Sequence, residues 1–377
     1  MKKTPERTLL RLLHHRWNAR TLSSVSFMCE KFLYKGCFTS MEVLGLEEVQ
    51  RKDRAGRRLI FIPDHQSEYD WLLLQNKLFR AGIRTAIQAG DNLFVGPLDP
   101  ALRGCGAFMS IRDQRSFYSS HWLANLFLKY LGQRPIVITR DLYSGLYMKQ
   151  LRRILGTEGF NILVFPGYET DPYSGAVKYG RSYSGEFNPF SPFVFIMMSK
   201  ALRDLGIRDA EYIPVSVSYE RVPEDVLFRE FKAKTRRKKI AKYLYDHYYT
   251  FIKAPFSKEL HQDKSRVVVK FGAGIPTESD LRARDFAERV RFEVARLTRV
   301  YESTIVFNSL NHRFALPKKE LERNALETIH MLREMKIDLS PLYTPSGRLQ
   351  SIDSMLRRVE RMFNFSTNPI IPLKSYL

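Results

Sequence analysis

Cysteine is scarce: Cys29, Cys37 and Cys105 are the only three in 377 residues. Three scattered thiols supply neither a disulfide framework nor a four-ligand zinc site, and they fit a reducing compartment. Long apolar runs are missing too. The most apolar stretches, such as Phe193 to Met198, fall well short of the roughly 18 to 20 residues that a membrane-spanning helix needs. The amino terminus is basic but lacks a continuous apolar segment and a small-residue cleavage site, so neither secretion nor membrane spanning is expected. Several catalytic signatures are absent: a G-x-x-x-x-G-K-[ST] phosphate loop, H-E-x-x-H, and G-x-G-x-x-G, since Gly104 and Gly106 lack the third glycine. Gly180-Arg181-Ser182-Tyr183-Ser184-Gly185 misses the nucleophile-elbow pattern by one residue, which argues against a serine hydrolase. None of the eight histidines forms a metal set with neighbouring acids or cysteines, so no metal is expected.

Acid is also in short supply. With 61 Lys and Arg against 40 Asp and Glu, the net charge is +21, and an anionic partner surface is expected. Nucleic acid, anionic lipid and phosphorylated substrates all fit that charge. At 44% hydrophobic and 13% aromatic residues the chain buries a sizeable core.

Apolar spacing predicts an amphipathic helix from Arg7 to Trp17, read either as packed on the main domain or as lying on a membrane surface. Between Gly36 and Pro276, β-rich runs at Leu59 to Ile62, Pro135 to Thr139, Asn161 to Phe165, Tyr212 to Tyr219 and Val267 to Phe271 alternate with helical stretches. Those are Trp71 to Arg80, Tyr118 to Leu131 and Pro192 to Leu205. This alternation predicts an α/β domain with a mostly parallel central sheet flanked by helices. After Pro276 the pattern turns helical, ending in an amphipathic helix that carries Ile352, Met355, Leu356, Val359, Met362 and Phe363. Lys232, Lys234, Arg236, Arg237, Lys238, Lys239 and Lys242 form a basic run, which is either a solvated face or an anion-binding one.

The segment Pro63-Asp64-His65-Gln66-Ser67-Glu68-Tyr69-Asp70 stands between a predicted strand and a predicted helix, where open α/β sheets build sites. In one continuous helix His65 and Asp70 would lie about 140° apart, so His65 must sit in the preceding turn for the two to meet. Ser67 as helix cap makes that turn and places Asp70 in the first helical turn, pointing back. Asp70 then fixes the imidazole tautomer and leaves the other nitrogen free to take a proton. Ser67-x-x-Asp70 reads equally as a plain capping box.

His65-x-x-x-x-Asp70 after a strand resembles the first motif of the glycerolipid acyltransferases, the glycerol-3-phosphate and lysophosphatidate acyltransferase superfamily. Three further segments resemble its later motifs in order. They are Gly106-Ala107-Phe108-Met109-Ser110-Ile111-Arg112; then Phe165-Pro166-Gly167 followed by Gly180-Arg181-Ser182-Tyr183-Ser184-Gly185; then Tyr212 to Glu220 around Pro214. The third motif departs from the compact family form, with Asp171 to Tyr179 inserted between Glu169 and Gly180.

The resemblance implies that His65 is the general base, that Asp70 orients it, and that Arg112 and Arg181, with Ser182 and Lys178, hold the acceptor's phosphate. It implies no metal or redox cofactor. The acyl donor would be acyl-coenzyme A or acyl carrier protein; the acceptor would be glycerol 3-phosphate, with lysophosphatidate or another lysolipid as the alternative. A non-catalytic basic protein that binds lipid or nucleic acid is the reading from a different class, although no nucleic-acid motif accompanies it. The organisation expected is amphipathic, membrane-facing helices over 1–36, an acyltransferase domain over 37–276 and a helical region over 277–377. The expected location is cytoplasmic, on the cytoplasmic face of a membrane, with the positive excess meeting an anionic surface.

Overall fold

Every residue of strand β2, Leu59–Pro63, is buried, although strands one-sided toward solvent alternate apolar and polar. Two layers of helix explain this. Leu59 and Phe61 point into one apolar cluster with Leu73, Leu74 and Leu78 of the helix Asp70–Arg80. Ile60 and Ile62 point into a second, with residues of the helices Arg140–Leu155, Pro192–Asp204 and Ala283–Leu297. Each fully buried Leu, Ile or Phe side chain contributes about 1.5 to 3 kcal/mol, so β2 fastens both layers.

The computed structural model describes residues 16–67, 69–90, 93–94, 98–110, 140–170, 177–179, 187–222, 264–277, 282–310 and 317–363. Flanking β2 in the chain are β1, Phe38–Leu44; β3, Thr85–Gly90; β4, Ala107–Ser110; and β5, Asn161–Leu163. A separate antiparallel pair follows, β6, Tyr168–Thr170, and β7, Val177–Tyr179; then come β8, Glu211–Tyr219, β9, Ser265–Phe271, and β10, Ile275–Pro276. The main sheet runs β1-β9-β8-β2-β5-β3-β4, with β10 pairing β8. All its pairings are parallel except those that β8 makes with β9 and β10. The mostly parallel, helix-flanked sheet expected from the sequence is therefore the one present. Of its predicted segments, Arg7 to His15, Tyr118 to Leu131, Pro135 to Thr139 and the Lys232 to Lys242 run lie outside the described residues.

Pro214 sits inside a central strand despite having no N–H to donate. Beside it, β9 ends at Phe271 opposite Val215 and β10 resumes at Ile275 opposite Tyr212. The missing donor falls where that ladder is interrupted, and the Pro214 carbonyl still accepts the Gly272 N–H at 2.8 Å. At the start of the helix Leu46–Arg54, Gly45 has φ of +76°, and a Cβ there would overlap the carbonyl oxygen of Phe271.

The helix Ala283–Leu297 lays Phe286, Ala287, Val290 and Val294 on the second cluster. Beyond it the helices Glu302–Ser309, Lys318–Glu334 and Ile352–Phe363 share a third cluster, built on Ile305, Ala325, Ile329, Met355 and Val359. Among the described residues no helix is long and apolar enough to cross a membrane.

Candidate active site

Strands β2, β5 and β8 run parallel, so their carboxyl ends share one edge of the sheet. The chain leaves β2 there as the loop from Asp64 to Tyr69 and enters the helix at Asp70. Within this turn the Asp70 N–H donates to the Ser67 carbonyl at 3.1 Å and the Tyr69 N–H donates to Ser67 Oγ at 3.0 Å. Asp70 reaches back: its Oδ2 accepts the backbone N–H groups of Gln66 at 2.7 Å and Ser67 at 2.9 Å. That is the reciprocal pattern of a capping box, with a carboxylate in the first helical turn where the helix dipole favours negative charge.

The same oxygen lies 2.9 Å from His65 Nδ1. The capping and the orienting readings of Ser67-x-x-Asp70 thus describe one arrangement. Asp70 is fully buried, whereas the His65 side chain keeps 15% of its surface open. Because the Asp70 carboxylate only accepts, Nδ1 carries the hydrogen and Nε2 keeps its lone pair. The imidazole also packs on Phe165, with ring centroids 4.5 Å apart, which fixes its second face. Phe165 follows β5, and its neighbours are fastened by Ser191 N–H to the Pro166 carbonyl at 2.9 Å and Tyr168 N–H to the Pro189 carbonyl at 3.0 Å.

Three features of this site come from the fold and not from sequence spacing. Tyr219, at the end of β8, donates its hydroxyl to Asp70 Oδ1 at 2.7 Å. Its only sequence clue is its place at the carboxyl end of a strand neighbouring β2. Gln66 joins both acids, since its Nε2 donates to Asp64 Oδ2 at 2.7 Å while its N–H holds Asp70. Asp64 is itself buried, and its Oδ1 meets no donor among the described residues. Burial, and then the charge of Asp70, push the Asp64 carboxyl up to about 7.

That elevation has a thermodynamic consequence. Asp64 binds a proton more tightly folded than unfolded, so its ionisation costs stability increasingly as pH rises from about 4 to about 7. Asp64→Asn keeps an oxygen for Gln66 and removes the charge. It is expected to stabilise the protein by on the order of a few kcal/mol, more at pH 8 than at pH 5. Thermal melts of both proteins at the two pH values check this, and an equal or reversed gain contradicts it.

The remaining sequence-predicted residues separate into two groups. Gly106 lies in the turn before β4 with φ of +91°, where a Cβ would stand 2.8 Å from the Thr85 carbonyl oxygen. The insertion in the third motif contributes β7, which pairs with β6 just before it, with Glu169 opposite Lys178 in register. Pro214 lies in β8 opposite Ile62 of β2. Arg112, Gly180, Arg181 and Ser182 lie outside the described residues. Among the described residues no three His, Cys, Asp or Glu side chains group as a metal site.

A loop histidine oriented by a buried carboxylate at a sheet's carboxyl edge has the chemistry of a general base toward a hydroxyl. Residues 40–218 match the family model Acyltransferase, a span that runs from within β1 to the penultimate residue of β8 and contains the whole His65 loop. Over these residues the chain matches the glycerolipid acyltransferase family, and the match supports an acyltransferase activity.

Proposed function

We propose that the protein transfers a fatty acyl group from a thioester, acyl-coenzyme A or acyl carrier protein, to a hydroxyl of glycerol 3-phosphate. The observation that carries the reaction is the contact between His65 Nδ1 and Asp70 Oδ2, with that oxygen also anchored by two backbone N–H groups. His65 Nε2 takes the proton of the acceptor hydroxyl as its oxygen attacks the thioester carbonyl carbon. The tetrahedral intermediate then expels the thiolate, which recovers the proton from the imidazolium; an ester and a thiol leave. Asp70 holds the ring in the productive tautomer and offsets the positive charge it acquires.

Glycerol 3-phosphate is preferred over a lysolipid acceptor because Gly106-Ala107-Phe108 and Gly180-Arg181-Ser182-Tyr183-Ser184-Gly185 resemble the glycerol-3-phosphate branch. In this reading Arg112 and Arg181, with Lys178 and Ser182, bind the phosphate, as guanidinium forks suit its oxygens. The lipid product is delivered to an anionic membrane on its cytoplasmic face. Support for that comes from the net charge of +21 and from exposed Phe27 and Met28 beside Lys31, whose Nζ lies 5.3 Å above the Phe27 ring.

The test offers a labelled acyl thioester, as coenzyme A and as carrier-protein ester, with glycerol 3-phosphate and lysophosphatidate in parallel. Transfer to glycerol 3-phosphate at a kcat/KM at least about tenfold above that for lysophosphatidate is the expected result. The opposite preference assigns the lysolipid acceptor, and transfer to neither overturns both.

A further inference from the structure

Strand β8 outlasts its neighbour. Strand β2 ends at Pro63 opposite Val215, while β8 continues to Tyr219 and stays paired with β9 as far as Tyr219 opposite Val267. At about 3.3 Å per residue, this extension reaches some 13 Å along the loop that carries His65. Alternation along the strand and the residue after it then divides the side chains. Ile213, Val215, Val217 and Tyr219 face the cluster under the helix Asp70–Arg80, and Tyr219 meets Asp70. Ser218 and Glu220 face the other way, toward the C-terminal helical unit.

On that side Glu220 is held unusually firmly. Its carboxylate, almost wholly buried, accepts from Arg266 Nε and Nη2 at 2.9 Å each and from Arg358 Nη2 at 2.6 Å. Its carbonyl accepts the Ser303 hydroxyl at 2.9 Å. Arg266 also pairs with buried Glu302 at 3.0 Å. Burial works against the Glu220 charge, yet the two guanidinium groups hold its carboxyl below the usual range. Arg358 comes from the helix Ile352–Phe363 and Ser303 from the helix Glu302–Ser309, so the C-terminal unit grips the residue next to Tyr219 from two elements.

We infer that Tyr219 is a positioning residue for the His65–Asp70 pair, and that the C-terminal helical unit sets its position through Glu220. Asp70 Oδ2 is committed to the loop and to His65. Oδ1 is anchored from outside the loop, by Tyr219, and this second point stops the carboxylate from rotating about its Cβ–Cγ bond. A shift of Glu220 moves Tyr219 with it, because Glu220 directly follows the last residue of β8 and its N–H donates to the Arg266 carbonyl at 2.9 Å. The helices beyond residue 300 thereby act on catalysis without touching substrate. This inference rests on His65 and Asp70 being the catalytic pair.

The test is a double-mutant cycle on kcat, using Tyr219→Phe and Arg358→Ala in the full chain, with His65→Ala alongside. Tyr219→Phe keeps the ring and removes one hydrogen bond to a charged acceptor, and is expected to lower kcat about 10- to 100-fold with the acceptor KM within about twofold. Arg358→Ala alone is expected to lower kcat about 3- to 10-fold, with Arg358→Lys restoring most of it, since Arg358 is one of two cations on Glu220. In the Tyr219→Phe background Arg358→Ala should have no further effect, a coupling that general loosening of the fold does not produce. Additive losses, or a folded Tyr219→Phe protein with wild-type kcat, overturn the inference. Full activity in His65→Ala overturns the underlying catalytic assignment instead, so the two failures are distinguishable. Circular dichroism and melting temperature establish that each variant is folded.

Discussion

His65→Ala is expected to lower kcat for acyl transfer by about 10² to 10⁴, the range that a positioned general base contributes. The fold should survive. Among the described residues the imidazole makes one hydrogen bond, to Asp70, and one ring contact, to Phe165, and it is partly open to solvent. With it gone, Asp70 keeps the Gln66 and Ser67 N–H groups and the Tyr219 hydroxyl, so no buried charge is stranded. The acceptor KM should change little, because the hydroxyl proton moves only in the transition state. Steady-state kinetics on a variant with a wild-type circular dichroism spectrum decide the matter. Turnover within threefold of wild type removes His65 from the mechanism.

Asp70→Asn should be nearly as damaging to turnover and worse for stability. An amide offers one acceptor oxygen and an NH2 group that only donates, whereas the site surrounds both carboxylate oxygens with donors. If the amide nitrogen takes the Oδ2 place, it confronts the N–H groups of Gln66 and Ser67 and forces His65 Nδ1 to accept. The hydrogen then moves to Nε2, where no lone pair is left for a substrate. If the nitrogen takes the Oδ1 place, the Tyr219 hydroxyl must turn away and the imidazolium loses its counter-charge. Either way kcat should fall about 10² to 10⁴ with KM nearly constant. Hydrogen bonds to a charged group are worth about 1.5 to 3 kcal/mol each, so a melting temperature lower by several degrees accompanies it. A rise in KM alone, at unchanged kcat, assigns Asp70 to acceptor binding.

The local half of the site was legible because it is made of neighbours. The spacing of His65 and Asp70 excludes one continuous helix, and Ser67 supplies the turn that lets them meet. The apolar runs at Leu59, Asn161, Tyr212 and Val267 each mark a strand, since a parallel sheet covered on both faces selects unbroken apolar stretches. What escaped is either short or distant. Strands β3 and β4 and the β6–β7 pair have weak patterns; Gln88 and Gly90 of β3 break the apolar run. The Tyr219 contact joins residues 149 apart, and no periodicity carries pairing information over that distance. Asp64 reads in sequence as an ordinary loop acid, because its burial comes from elements packed around the loop and not from its own neighbours.

The position of β9 between β1 and β8 governs when this sheet can close. Thr39 donates its hydroxyl to the carbonyl of Ser265, 226 residues later, and among the described strands β1 pairs only with β9. At about 5 to 20 residues per second, a ribosome needs about 10 to 45 seconds to make that intervening chain. Throughout this interval β1 has no strand to pair with, and once β8 has been made its far side from Val215 to Tyr219 stands as an open edge until β9 follows. Nascent chains are therefore most prone to misassociation late in synthesis, and arrival of Ser265 to Phe271 both seals that edge and recruits the N-terminal strand.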